Sequence, residues 1–374
     1  VWDAALDRIR YLFDEFPNVI VTTSGGKDST VVLNLALKVA EEKGRLPLRV
    51  LFVDQEAEWR TVIEFIRTQM NDHRVDAQWL QVPLRLFNST STVDQWLNCW
   101  HPDEEDRWMR PREPNAITEN VYGTDRFKEM FTNYLRVTYP DQPACILGGV
   151  RCEESPSRMM GLTNYPTYQH ITWGKVEHKK RRHYVFYPIF DWSYTDVWKS
   201  ILDNNWPYCT IYDEMYRQGL PVNNMRVSNV HHETAVKTLY YLQEIEGDTW
   251  QKLTQRVSGI NTAKHMQDDA FKVDEVPYMF DGWRDYRDYL VEHIPIGEAQ
   301  AKFKKHFRDM DDTYSAMNGT GERDMCRVQI RAMLLNDYHS TVLKNWIDSP
   351  LVRNWLKSKN TGIIEARNRT NKYL

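Results

Sequence analysis

The sequence predicts an α/β fold: a doubly wound, mostly parallel sheet followed by a helical C-terminal domain. Three observations carry that expectation. Short β-branched runs alternate with amphipathic helical stretches through the first half of the chain. A glycine-rich hexapeptide, Ser24-Gly25-Gly26-Lys27-Asp28-Ser29, stands between the first such run and the helix after it. Beyond about residue 231 the apolar spacing is helical, with few strand signals. Strands separated by helices have the long crossovers that parallel pairing needs.

Taken in order, residues 1–13 read as an amphipathic helix, with Trp2, Leu6, Ile9 and Phe13 set among Asp3, Asp7, Arg8 and Arg10. Residues 18–23 form a buried strand, and residues 30–43 a helix that Gly44 closes from the C′ position. A second strand at 48–54, a helix at 59–70, a third strand at 76–82, a helix at 126–137 and a fourth strand at 144–149 continue the alternation. Residues 88–124, rich in Trp, Pro and charge, break it and read as an insertion over the sheet's edge or mouth. A strand at 184–190 and a helix at 193–202 with Ser193 as N-cap follow. Further helices are expected at 239–257, 283–293, 297–315, 321–335 and 340–357. This divides the chain into a nucleotide-binding type of domain over 1–225 and a helical domain over 226–374.

At 374 residues the chain has room for two domains of roughly 100–200 residues each. Its 48 Lys and Arg against 52 Asp and Glu give a formal charge of −4, so the molecule as a whole does not attract polyanions and any such site must be local. No apolar run approaches the ~18 residues of a membrane span, and the first helix does not fit a secretory leader. Cys99, Cys145, Cys152, Cys209 and Cys326 are odd in number and contain no CxxC pair. The expectation is a cytoplasmic protein without disulfides, iron–sulfur cluster or zinc.

The strongest chemical signal is the hexapeptide. Two glycines let the backbone turn sharply and come close to an anion, and the following helix presents its N-terminal amides and positive dipole end to the same point. Lys27 adds a full charge, and Ser24 and Ser29 add hydroxyls. The loop is not a Walker A sequence, because Val21 stands where its first glycine would be and Asp28 directly follows the lysine. It is a receptor for pyrophosphate or a similar tetrahedral anion.

Ser24 to Ser29 is identified as the PP-loop signature of the adenine nucleotide α-hydrolase superfamily, and three further segments resemble its phosphoadenylylsulfate (PAPS) reductase branch. These are Leu51-Phe52-Val53-Asp54 followed by Glu56; Gly148-Gly149-Val150-Arg151-Cys152-Glu153-Glu154-Ser155 continuing to Arg158; and Tyr187-Pro188-Ile189-Phe190-Asp191-Trp192 continuing to Trp206-Pro207-Tyr208. The likeness covers roughly residues 15–225. It implies an adenine nucleotide ligand, ATP or PAPS, with Mg²⁺ in the ATP case. It also implies contacts from Ser24, Gly25, Gly26, Lys27, Asp28, Ser29, Gly149, Arg151 and Arg158, with Lys27 and Arg151 as catalytic candidates. Asp54 either reaches the nucleoside or caps the next helix, and Arg151 either holds a phosphate oxygen or pairs with Glu153 or Glu154.

The reductases' C-terminal catalytic cysteine segment is missing, since Cys326 lies in a helical stretch, so a thiolate for sulfite release is not in evidence. The helical half, with Met225-Arg226-Val227-Ser228 and Gln255-Arg256-Val257-Ser258, resembles the IbrA-like PAPS-reductase-domain proteins. That resemblance implies a co-activator alternative with a ParB-like partner. The basic run containing Lys179, Lys180, Arg181 and Arg182 is either a solvated hairpin tip or a contact for nucleic acid or an acidic partner. His231-His232 and His101 lack a recognisable ligand spacing.

Overall fold

In the computed structural model of the chain, residues 1–91, 93–164, 166–222, 225, 227, 230, 238–263, 275–315, 322–338, 340 and 343 are described. The chain divides into two compact units. One is made of residues 1–86, 98–230 and 241–256; the other of 87–97, 231–240 and 257–374.

The first unit contains α1 (Trp2–Glu15), β1 (Asn18–Thr22), α2 (Lys27–Glu42), β2 (Leu48–Val53), α3 (Arg60–Met70) and β3 (Val75–Leu80). Next come the short strands β4 (Leu84–Phe87) and β5 (Trp96–Cys99), which pair as a separate two-stranded sheet, and a 3₁₀ turn at Pro102–Arg107. Then follow α4 (Phe127–Thr138), β6 (Ala144–Leu147), α5 (Pro156–Thr163), β7 (Gly174–His178), β8 (His183–Phe186), α6 (Tyr194–Asp203) and α7 (Ile211–Arg217). Six strands form one sheet in the order β3-β2-β1-β6-β8-β7, parallel except for β7, which lies antiparallel to β8 at the edge. The α/β class is thus as expected. Val19, Ile20 and Val21 of β1 and all four residues of β6 are buried, as the central strands of a parallel sheet must be.

The topology decides where a ligand can sit. From β1 the chain winds outward through β2 to β3, and then returns to β6 on the other side of β1. The crevice beyond the carboxyl ends of β1 and β6 is therefore a topological switch point, where open α/β sheets hold their ligands. The hexapeptide leaves β1 there, and Gly148-Gly149-Val150-Arg151 leaves β6 there.

Several boundaries differ from expectation for physical reasons. The helix expected from residue 30 begins at Lys27, because Gly26 is its N-cap and accepts from the Thr30 amide (3.0 Å) and the Ser29 and Thr30 hydroxyls (2.9 Å each). Edge strand β7 carries no apolar alternation; its Lys175 and His178 are the charged or polar type that keeps sheet edges from pairing with other chains. The helix expected over 239–257 is two, α8 (Leu239–Ile245) and α9 (Gly247–Arg256), broken at Glu246-Gly247.

In the second unit α10 (Ile260–Ala263), α11 (Trp283–His293), α12 (Glu298–Ser315) and α13 (Glu322–Leu334) follow. Phe303, Phe307, Met310, Met325, Ile330 and Met333 form its core. The buried Arg287 is neutralised by Asp311 (2.8 Å) and Asp288 (2.7 Å) and also donates to Gln329 Oε1 (2.8 Å). The helix expected at 340–357 lies outside the described residues apart from positions 340 and 343, as do Arg226, Ser228 and His231-His232. No described helix is long and apolar enough to cross a membrane.

Candidate functional site

The hexapeptide is held from both ends. Gly25 takes φ +69°, a left-handed turn that glycine adopts without strain, and a Cβ there would stand 2.8 Å from Val62 Cγ1 of α3. The Thr23 hydroxyl donates to Gln69 Oε1 (2.7 Å) and accepts from the Gly25 amide (3.3 Å), while Gln69 Nε2 donates to Thr30 Oγ1 (3.2 Å). One buried glutamine of α3 thereby ties the residue before the loop to the residue after it.

Within the loop the Ser24 amide donates to Ser29 Oγ (3.2 Å), and the Lys27 amide donates to the Tyr212 hydroxyl (3.2 Å). Burial pushes the Tyr212 phenol far up, so it keeps its proton. Among the described residues the amides of Gly26, Asp28 and Ser29 make no hydrogen bond. They lie at the start of a 16-residue helix, with Lys27 Nζ beside them. Unpartnered first-turn amides, a helix dipole and an ammonium group together favour a bound anion.

Asp28 carries two cations. Lys27 Nζ lies 3.0 Å from one of its oxygens, and Arg151 Nε donates to the other at 2.6 Å. Arg151 also donates to Glu153 (2.7 Å) and to the Trp192 carbonyl (3.1 Å) and is 4% exposed. Of the two expected roles, the internal pairing with Glu153 is the one the geometry realises, joined by an unanticipated bond to Asp28. Through these bonds, made by Nε and Nη1, Arg151 braces the loop. Gly149 packs directly on the same turn: a Cβ there would be 2.8 Å from the Asp28 carbonyl carbon. Arg158, expected as a contact, lies in the first turn of α5, where it pairs with Glu154 on the surface and donates its amide to the N-cap Ser155 (3.2 Å).

Asp54 corrects the expectation most clearly. It is fully buried, and its carboxylate accepts from the Glu56 amide (2.9 Å), Trp79 Nε1 (2.8 Å), Gln81 Nε2 (2.9 Å) and Arg110 (2.5 Å). Both oxygens are consumed, so it neither reaches a nucleoside nor caps α3. The next residues continue this closed network. Glu56, at φ +63°, accepts from the Trp100 amide (2.9 Å), the Met109 amide (3.2 Å) and Arg256 Nε (2.6 Å). Glu58 is buried with Oε2 unpartnered, and burial, reinforced by Asp54 and opposed by Arg110, pushes its carboxyl up to about 8.

Lys179, Lys180, Arg181 and Arg182 form the turn between β7 and β8. Arg182 donates to the Tyr168 hydroxyl (3.0 Å) while remaining exposed, and Lys179 and Lys180 are exposed as well. Burial raises the thiol pKa of all five cysteines, to about 12 for Cys209 and about 11 for Cys326. No group of three or more His, Cys, Asp and Glu suited to a metal occurs among the described residues. Gln69, Tyr212 and Glu246 were missed in the sequence, since each acts on a residue 39 or more positions away and carries no motif of its own.

An uncharacterised protein YbdN of Escherichia coli K12 is 28% identical over 328 residues, covering 83% of this chain and 78% of that one. An adenosine 5′-phosphosulfate reductase of Lysinibacillus sphaericus is 22% identical over 257 residues, 67% and 88% of the two chains. A sulfate adenylyltransferase subunit 2 of Methylorubrum populi is 29% identical over 210 residues, and the match covers 53% of this chain and 60% of that one. Residues 219–344 match a domain of unknown function, DUF3440. Residues 18–218, more than half of the chain and including both loops at the switch point, match the phosphoadenosine phosphosulfate reductase domain, and the chain belongs to that PP-loop family.

Proposed function

We propose that this chain binds an adenine nucleotide, ATP or PAPS, with phosphate or sulfate oxygens on the amides of Gly26, Asp28 and Ser29 beside Lys27. The observation that carries the reading is that, among the described residues, these amides have no partner at the start of a long helix at the sheet's switch point. With ATP, an acceptor oxygen attacks the α-phosphorus. The bond from that phosphorus to the bridging oxygen breaks, pyrophosphate leaves with the electron pair, and the acceptor's proton goes to solvent. Lys27 and the amides stabilise the charge gathering on the pyrophosphate. The relative named a sulfate adenylyltransferase subunit supports adenylyl transfer, and the one named an adenosine 5′-phosphosulfate reductase supports a sulfated nucleotide. Raised thiol pKa values at every cysteine weigh against a thiolate attack on sulfur.

Mg²⁺ commonly accompanies ATP through phosphate oxygens and one or two carboxylates. Asp28, the loop's only acidic residue, is occupied by Lys27 and Arg151 and does not fit as an open ligand. No step is therefore routed through the metal.

Titrating the protein with ATP and with PAPS, while assaying pyrophosphate release, tests the reading. Lys27→Ala should weaken the preferred nucleotide by roughly tenfold or more with unchanged thermal stability. Equal affinity in the variant would refute the loop assignment. A second reading, a regulator acting with nucleic acid or a ParB-like partner, is favoured only by the exposed Lys179 and Lys180 at the β7–β8 turn. If it holds, replacing both with Ala flattens the salt dependence of nucleic-acid binding.

A further inference from the structure

The DUF3440 match begins at residue 219, yet residues 241–256 belong to the same compact unit as the sheet. What they do there is specific. Trp59, the N-cap of α3, offers no side-chain cap. Instead Glu246, 3% exposed, supplies its carboxylate from 185 positions downstream. It accepts from the Arg60 amide (2.7 Å), the Thr61 amide (2.9 Å) and the Thr61 hydroxyl (2.6 Å). A negative group on first-turn amides satisfies two orphan donors and complements the helix dipole. The break between α8 and α9 occurs at this residue, so helical continuity is interrupted where the carboxylate is delivered.

α3 is also the element that grips the phosphate loop. Val62, in its first turn, bounds the Gly25 bend, and Gln69, near its end, binds Thr23 and Thr30. Ten residues further along the same segment, Arg256 holds Glu56 (2.6 Å) in the connection leading into α3. We infer that Glu246 is a positioning residue for the phosphate loop, acting through α3, and that the DUF3440 segment 241–256 serves as a built-in clamp on this site. The importance of the clamp for ligand binding rests on the nucleotide reading above; the clamp itself does not.

Hydrogen exchange on the full chain, without nucleotide, tests the clamp. Glu246→Ala should speed exchange of the amides in 60–63 and of the hydrogen-bonded amides in 23–30, those of Thr23, Ser24, Gly25, Lys27 and Thr30, by roughly tenfold, leaving 144–147 and 183–186 as in wild type. Glu246→Gln, which keeps an acceptor oxygen, should restore most of the protection. Faster exchange confined to 60–63, with 23–30 unchanged, would reduce Glu246 to a plain helix cap and overturn the inference. Should Glu246→Ala fail to fold, the same contrast is read from Glu246→Gln against wild type, where a smaller rise in both segments supports the clamp and a rise in 60–63 alone refutes it. ATP and PAPS titrations of the same proteins separate the two claims: wild type that binds neither nucleotide sinks the nucleotide reading while leaving the exchange contrast to stand or fall alone.

Discussion

The ends of β1 and β2 lie side by side in one parallel sheet, and their chemistry is opposite. Beyond β1 the loop leaves the amides of Gly26, Asp28 and Ser29 without partners among the described residues and sets an ammonium group beside them. Beyond β2, Asp54 and Glu56 are fully buried and their carboxylates are filled by amides, indole, glutamine and arginine. Two adjacent strand ends thus differ in kind: one leaves backbone donors without partners among the described residues, and the other spends its charges on holding the frame. An acidic residue at the carboxyl end of a strand is not by position alone a ligand contact; the number of donors already on it decides.

The contrast can be broken most severely at β2. Arg256→Ala leaves the buried Glu56 without its guanidinium and removes the pairing to Glu104. Loss of one partner of a buried pair should cost about 3–5 kcal/mol, read from urea unfolding. A loss below 1 kcal/mol would mean that the network is not the frame. Glu58 gives the next largest effect, with the opposite sign. Below the ordinary carboxyl value both folded and unfolded chains hold its proton. Between that value and about 8 only the unfolded chain releases it, so stability falls as pH rises, and the fall levels off above 8. Glu58→Gln should therefore be more stable than wild type by on the order of 3 kcal/mol near neutrality, with the gap closing toward pH 5. Parallel pH profiles for the two proteins would contradict the raised carboxyl. At β1, Gly25→Ala forces an alanine to φ +69° with its Cβ against Val62. A cost of about 2 kcal/mol in thermal unfolding is expected, accompanied by weaker nucleotide binding; an unperturbed melting curve would show that the turn is not constrained.

Much of the first region was legible in the sequence. Ser24 to Ser29 carries its own geometry, because glycine placement, the strand before it and the helix after it together fix the turn. The α/β class followed from the alternation of runs for the same local reason, and Ser193 was read as an N-cap that the structure completes with Asp196 (2.8 Å). The second region was not legible. Asp54 looked available because its donors, Trp79, Gln81 and Arg110, come from 25 to 56 positions away, and a single sequence does not reveal which side chains the fold will gather. Arg151 was ambiguous on the same ground: Glu153 was visible as a neighbour, while Asp28 lay 123 positions off. Edge strand β7 escaped notice because its charged residues, suited to a sheet border, remove the apolar alternation by which strands are recognised.

Backbone amide signals of Gly26, Asp28 and Ser29, followed by NMR as ATP or PAPS is added, report on the open donors themselves. Saturable downfield shifts of these three amides, with those around Asp54 and Glu56 unmoved, are the expected result. Shifts confined to other segments, or none at millimolar concentrations of either nucleotide, would contradict the assignment of the β1 loop as the anion receptor.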